Sequence, residues 1–207
     1  MNGLAWIREA GQAAQAWELV PSPLGAFGVA PFQGAVQRFE PVDRGQGALG
    51  RTWMAEALGR LELPALHPSD SHAAADYVQL VEQARQACAD GVLEKVVLSR
   101  RKAYHRSRVQ PWEAFERLSD AYPHATVFLM YTPGGSIWMG ATPECLTEVV
   151  GNAVRTMSLA GTRLRGSQGA WGLKEREEQH VVTKDIVQML QALGVASVQV
   201  EGPSVLE

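Results

Sequence analysis

Between Ala125 and Leu159 two strand–turn–strand signals follow one another, and they commit this chain to a β-sheet. The run ATVFLMY is β-branched and aromatic, Thr132-Pro133-Gly134-Gly135 turns it back, and SIWMG follows. Proline presets φ in such a turn, and glycine takes the conformations other residues avoid. CLTEVV and AVRTMSLAG then flank Gly151-Asn152, a second hairpin signal. Each pair is expected to be antiparallel.

Upstream, AWELV, GAFGVA and AVQRFEPV are short apolar runs broken by Gly and Pro, which reads as further strands with tight turns. Trp6, Trp17 and Trp53 in this region are expected in the core or on a sheet face, since large aromatics bury for packing. Ser69-Asp70-Ser71 supplies helix-capping residues before an Ala-rich stretch with Tyr77, Leu80, Val81, Ala84 and Cys88 about one turn apart, stopped at Asp90-Gly91. Cys88 falls on the apolar face as inert core. VLEKVVLSRR reads as a strand, and Pro111 opens a short helix through WEAFERL. Val181, Val182, Ile186, Met189, Leu190 and Leu193 recur at helical spacing with Gly194 as the stop, and ASVQV begins one more strand. The expected fold class is α+β, antiparallel sheets with helices packed outside.

The chain has 207 residues, so one domain, or one and a fraction, is expected. Nineteen basic against 22 acidic residues give a net charge of -3, against the usual basic excess of a nucleic-acid binder. The basic stretch Ser99–Arg108 reads as a solvated connection between a strand and a helix. Cys88 and Cys145 are the two cysteines and neither lies in a CxxC, so a structural zinc site or a disulfide scaffold is not expected and a cytoplasmic setting is. No apolar run approaches the roughly 18 residues of a membrane span, and the N-terminus lacks a signal-peptide layout.

Four features bear on chemistry. Lys95 interrupts two apolar stretches. In a strand covered on both faces a lysine must be paired or do chemistry, because a desolvated ammonium gives up its proton more readily. On an edge strand it would simply point to water. Glu144, in GATPECL, follows Thr142-Pro143 and so falls at a strand end, where functional carboxylates and solvated ones both occur. SLAGTRLRG offers backbone N–H groups that can cradle an anion, although a plain turn has the same composition. In KEREEQHVVTKD, Lys174 and Glu178 are four apart and suited to a surface pair, while Glu178 shares a face with Val181, Val182 and Asp185. An inward carboxylate there could bind Mg²⁺; a solvated charged face is the plainer alternative.

Taken together and in order, EKVVLSRR, GATPECL, SLAGTRLRG and KEREEQHVV resemble the chorismate-binding family, over about Ala74 to Ile186. That family comprises isochorismate synthase, salicylate synthase, and the large subunits of anthranilate synthase and aminodeoxychorismate synthase. The position of Lys95 separates its branches: members using water as nucleophile have lysine there, whereas the ammonia-using ones typically have glutamine. Ala160 likewise argues against the aminodeoxychorismate branch, which typically has a nucleophilic lysine. The resemblance therefore implies an isochorismate synthase of menaquinone or siderophore biosynthesis, with chorismate as small-molecule substrate.

The roles it implies are these. Lys95 deprotonates water for attack at C2, and Glu144 protonates the departing C4 hydroxyl on the opposite face. Glu178 helps hold Mg²⁺ against the ring carboxylate, which backbone groups around Ala160, Gly161 and Thr162 also hold. Where the family usually reads Glu-His, this chain reads Glu178-Gln179-His180, and Glu177 is the reserve ligand, about 100° round the helix. The family's later strands carry a second metal-binding glutamate and substrate-binding arginine and tyrosine that this chain does not contain. It resembles the N-terminal part of a single catalytic domain, incomplete at the C-terminus, and is expected to lack activity as it stands. A salicylate synthase and an inactive scaffold are the alternatives.

Overall fold

The sequence GLAWIR alternates so that Leu4 and Trp6 fall on one face of a strand and Ala5 and Ile7 on the other. In the computed structural model this is β1 (Gly3–Arg8), with Leu4, Ala5 and Trp6 all buried. The structure describes residues 2–30, 34–61, 73–102, 110–133, 137–164, 166–167 and 169–205. They form two units, residues 1–66 with 105–143 and residues 67–104 with 144–207. In the first, β1 lies between β2 (Gln15–Pro21) and β5 (Thr126–Tyr131). With β3 (Phe27–Val29), β4 (Gln37–Gln46) and β6 (Ile137–Thr142) these make an antiparallel sheet in the order β3-β4-β2-β1-β5-β6. The α+β class is therefore as the sequence indicates. ATVFLMY and SIWMG pair as expected, Thr126 opposite Thr142 and Tyr131 opposite Ile137. The turn glycines Gly134 and Gly135 lie outside the described residues.

Two apolar layers sandwich the sheet. On one face Leu4, Trp6, Ala16, Val127, Leu129 and Tyr131 pack with Met54 of α1 (Gly47–Gly59) and Phe115 of α3 (Pro111–Ala121). On the other Ala5, Leu19 and Phe39 are flanked by Ile7, Trp17 and Phe27. Trp6 meets Trp112 edge-on, ring centroids 5.2 Å apart at 63°, an arrangement that places a positive ring edge against a negative face. Trp53 packs half-buried against the same layer, so all three upstream tryptophans pack as the sequence suggests. Pro111 occupies the first turn of α3 as expected. At its other end Arg8 donates to the carbonyls of Ser119, Tyr122, Pro123 and Ala125, at 2.8–3.3 Å. A guanidinium there satisfies carbonyls that the end of a helix leaves without partners.

The sequence reading missed β1 and α1. α1 has three glycines, Gly47, Gly50 and Gly59, and starts without a side-chain cap, so local signals are poor. Tertiary contact makes it: a Cβ on Gly50 would lie 2.2 Å from the Gly45 carbonyl and 2.6 Å from the Trp6 ring. Only glycine permits that approach.

The second unit holds α2 (Ala74–Ala89), the hairpin β7 (Glu148–Val150) and β8 (Ala153–Arg155), and α4 (Leu173–Ala192). Gly91 (φ +71°) and Gly194 (φ +84°) terminate α2 and α4 where expected, in the left-handed region glycine tolerates. Ser69, Asp70 and Ser71 lie outside the described residues, and the N-cap of α2 is Ala73, with no side-chain bond. Cys88 is half-buried rather than deep core. Two strand readings fail. Neither VLEKVVLSRR, around Lys95, nor ASVQV joins a ladder among the described residues. β-branched residues favour strands by packing on neighbouring strands. Here Val97 is 80% exposed, so the propensity has nothing to act on. No helix among the described residues is long and apolar enough to cross a membrane.

Two tests follow from the first unit. Leu129 is fully buried on the interior strand β5, so Leu129→Ala should destabilise by about 2–5 kcal/mol in a denaturant melt; a loss below about 1 kcal/mol would place it outside a packed core. Glu18 accepts from Asn2 at 2.6 Å and from Arg44 Nε at 3.0 Å. The Asn2 hydrogen bond first, then Arg44, hold its carboxyl below the usual carboxylate range. The carboxyl is easier to ionise folded than unfolded. Its contribution is thus full above the unfolded value and fades as pH falls through the folded one. Glu18→Gln should lower the melting temperature at pH 7 by an amount equivalent to under about 1 kcal/mol, and by progressively less as the pH is lowered through the acid range. A loss that does not change with pH would rule out the charge as the cause.

Candidate functional site

The expected site residues all belong to the second unit, and α4 organises them. The side chain of Glu178 projects from α4 to Lys95, with Oε1 3.4 Å from Nζ; 32% of the glutamate side chain and 21% of the lysine side chain are exposed. Lys95 is thus paired, as a sheltered lysine must be, although its segment is irregular rather than a strand. The expected surface pair between Lys174 and Glu178 does not form, because Glu178 turns inward. Glu177 and His180 are exposed, so the geometry favours Glu178 over Glu177 as the inward carboxylate. Asp185, expected on the same face, is exposed.

The neighbouring residue pair repeats the pattern. Glu94 lies 3.5 Å from Lys184 of α4, so residues 94 and 95 are tied to one helix by ion pairs of opposite polarity. From the other side the Tyr77 hydroxyl of α2 donates to the Leu98 carbonyl at 3.2 Å, and Arg100 lies over the Tyr77 ring at 5.9 Å. These bonds hold the 94–100 segment without a ladder.

The small-residue segment SLAGT is held by Gln179. Its Oε1 accepts from the Ala160 N–H at 2.8 Å, and its Nε2 donates to the Ser158 carbonyl at 2.8 Å. The Ser158 and Thr183 hydroxyls join 2.6 Å apart. The Ala160 N–H is thereby engaged within the chain. The amides of Gly161 and Thr162 donate to no acceptor among the described residues and remain available to an anion. Gly161 is at φ +76°, and a Cβ there would meet Glu175 at 3.5 Å and Trp171 at 3.7 Å. Upstream, Cys145 N–H contacts the Met157 sulfur at 3.4 Å and the Thr156 hydroxyl donates to the Leu146 carbonyl at 2.7 Å. Glu144 therefore precedes a segment tied to the strand that runs into Ser158. It is exposed, two residues past the end of β6.

Sequence reasoning did not assign Gln179, Ser158 or Thr183. The signal was present: Gln179 and Thr183 are one turn apart, and Gln179 adjoins the inward glutamate.

The family described as Chorismate binding enzyme matches residues 52–207. The chain belongs to the chorismate-binding enzyme family. Lys95, Glu144, Ala160, Gly161, Thr162 and Glu178 all fall within the matched range, whereas β1 to β4 precede it. Among curated relatives, anthranilate synthase component 1 of Streptomyces coelicolor is 36% identical over 104 residues, 50% of this chain and 20% of that protein. Isochorismate synthase MenF of Escherichia coli is 32% identical over 130 residues, 56% of this chain and 30% of that protein. The salicylate biosynthesis isochorismate synthase of Pseudomonas aeruginosa is 33% identical over 86 residues, 42% of this chain and 18% of that protein. The chain thus spans less than a third of these relatives' length. No solved structure matches it.

The Lys95–Glu178 and Lys184–Glu94 distances make a direct prediction. A zero-length carbodiimide should couple both pairs, and peptide mass spectrometry should recover both amide-linked species. Recovery of Lys174–Glu178 in place of Lys95–Glu178 would reassign the inward partner.

Proposed function

We propose that this chain carries part of the active site of an isochorismate synthase acting in the cytoplasm, in menaquinone or siderophore biosynthesis. The observation supporting it is the sheltered Lys95–Glu178 pair, held by the same turn of α4 whose Gln179 binds the backbone of Ser158 and Ala160. A lysine at this position resembles the water-using branch of the family rather than the ammonia-using one. Anthranilate synthase relatives match as strongly, so this residue carries the choice.

In the proposed reaction water adds its hydroxyl to C2 of chorismate while the ring double bonds shift and the C4 hydroxyl leaves as water. Lys95 takes the proton of the attacking water. Glu144 gives one to the leaving oxygen. The amides of Gly161 and Thr162 hold the ring carboxylate, with Ala160 fixing their place. Attack and departure lie on opposite ring faces, so base and acid need opposite proton affinities.

Among the described residues no three His, Cys, Asp or Glu side chains gather to cage a cation. Mg²⁺ commonly takes one or two carboxylates and completes its octahedron with substrate oxygens and water, and Glu178 fits the role of one such ligand. When bound, Mg²⁺ would supply positive charge against the ring carboxylate. Glu178 would then exchange its pairing with Lys95 for the metal.

A chorismate incubation of the full-length enzyme with Mg²⁺, with and without ammonium, followed by product separation, tests this reading, because the 207-residue chain alone is expected to be inactive. Isochorismate is the expected product; anthranilate formed only with ammonium would overturn it, and salicylate with pyruvate would move it to the salicylate synthase branch. Lys95→Gln should lower turnover about 10²–10⁴-fold, the usual loss for a general base. Glu144→Gln should keep chorismate affinity and lose turnover. Wild-type turnover in either variant would remove that residue from the mechanism.

A further inference from the structure

Gln179 makes more contacts to the 158–160 segment than any packing role requires. Its carboxamide reads the backbone at two points, accepting from Ala160 N–H and donating to Ser158 C=O, both at 2.8 Å. This is the pairing one strand offers another, supplied by a single side chain. Nε2 also lies 2.6 Å from Ser158 Oγ and 3.3 Å from Thr183 Oγ1. The Thr183 hydroxyl returns to the Gln179 carbonyl at 3.0 Å, so the carboxamide is braced from its own helix. Gln179 is half-buried, and Glu178 beside it reaches Lys95. One turn of α4 therefore fixes both the ion pair and the backbone that leads into Gly161 and Thr162.

We infer that Gln179 is a positioning residue whose carboxamide clamps Ser158 and Ala160 to α4 and thereby sets the amides of Gly161 and Thr162, which have no acceptor among the described residues, for the substrate carboxylate. This rests on the chorismate reading above. The chemistry demands such a brace. The segment has no ladder partner among the described residues, Gly161 is at φ +76°, and an unbraced glycine turn samples many backbone states. An anion cradle tolerates little of that, since a shift of about 1 Å can lower turnover some 10²-fold. A carboxamide suits this task, because its acceptor oxygen and donor nitrogen lie side by side on one edge of the group.

The test uses the full-length enzyme and reads the clamp and the ligand separately. Hydrogen exchange at the Ala160 amide is followed by NMR, chorismate affinity by calorimetry with Mg²⁺, and folding by thermal melting. Gln179→Leu should speed Ala160 exchange and weaken chorismate binding, each about tenfold, the loss of one to two net hydrogen bonds. Melting should match that of Gln188→Leu, an exposed control on the same helix. Thr183→Val, which leaves both backbone bonds in place, should give smaller effects of the same sign and serves if Gln179→Leu fails to fold. Unchanged Ala160 exchange would overturn the clamp, and faster exchange with unchanged affinity would overturn its role in positioning. No binding heat from the unsubstituted full-length enzyme would overturn the chorismate reading instead, with Ala160 exchange still deciding whether the clamp exists.

Discussion

The pairing of β1 with β2 and β5 is the interaction on which the first unit depends. β1 is interior to the sheet and contributes to both apolar layers, with Leu4 and Trp6 on one side and Ala5 on the other. Its partner β2 is close in sequence, but β5 begins at Thr126, so the sheet closes across more than a hundred residues. The entropy of closing such a loop grows only slowly with its length, and burial on two faces offsets it. α1 and α3 then have a surface to cover. The aromatic contacts of Trp6 and the carbonyl contacts of Arg8 fix α3 on it.

The second unit solves a different problem. Its helices have no fully buried residue, and polar bonds rather than apolar burial hold its loops. Two ion pairs and a carboxamide clamp attach irregular segments to α4, so a rigid helix lends its order to chain that lacks a ladder. That is a sound basis for a site that must hold charge. A half-sheltered pair such as Lys95 and Glu178 remains exchangeable, whereas a fully buried pair would be locked by the desolvation of its partner.

What could be read directly were features with a local physical cause. The ATVFLMY and SIWMG pairing follows from alternation and a Pro-Gly turn, α3 from Pro111, and the ends of α2 and α4 from Gly91 and Gly194. The motif-bearing residues were legible too, because their order along the chain resembles one family. β1 and α1 were not, since α1 is rich in glycine and takes its form from the approach of Gly50 to Trp6. VLEKVVLSRR misled for the converse reason: strand propensity is strong there, and no neighbouring strand receives it.

The sequence by itself determined the α+β class and the C-terminal ends of α2 and α4, which are matters of residue type and spacing that no distant contact alters. Its motifs also resemble one family, and that resemblance singled out Lys95, Glu144 and Glu178 as residues worth following. Only the tertiary structure decided that Glu178 faces Lys95 instead of Lys174, that Ala160 gives its N–H to Gln179, and that Gly161 and Thr162 give theirs to no acceptor among the described residues. Those outcomes are choices among partners far apart in sequence. Geometry selects between them, because a hydrogen bond or ion pair exists only where donor and acceptor are brought within about 3–4 Å.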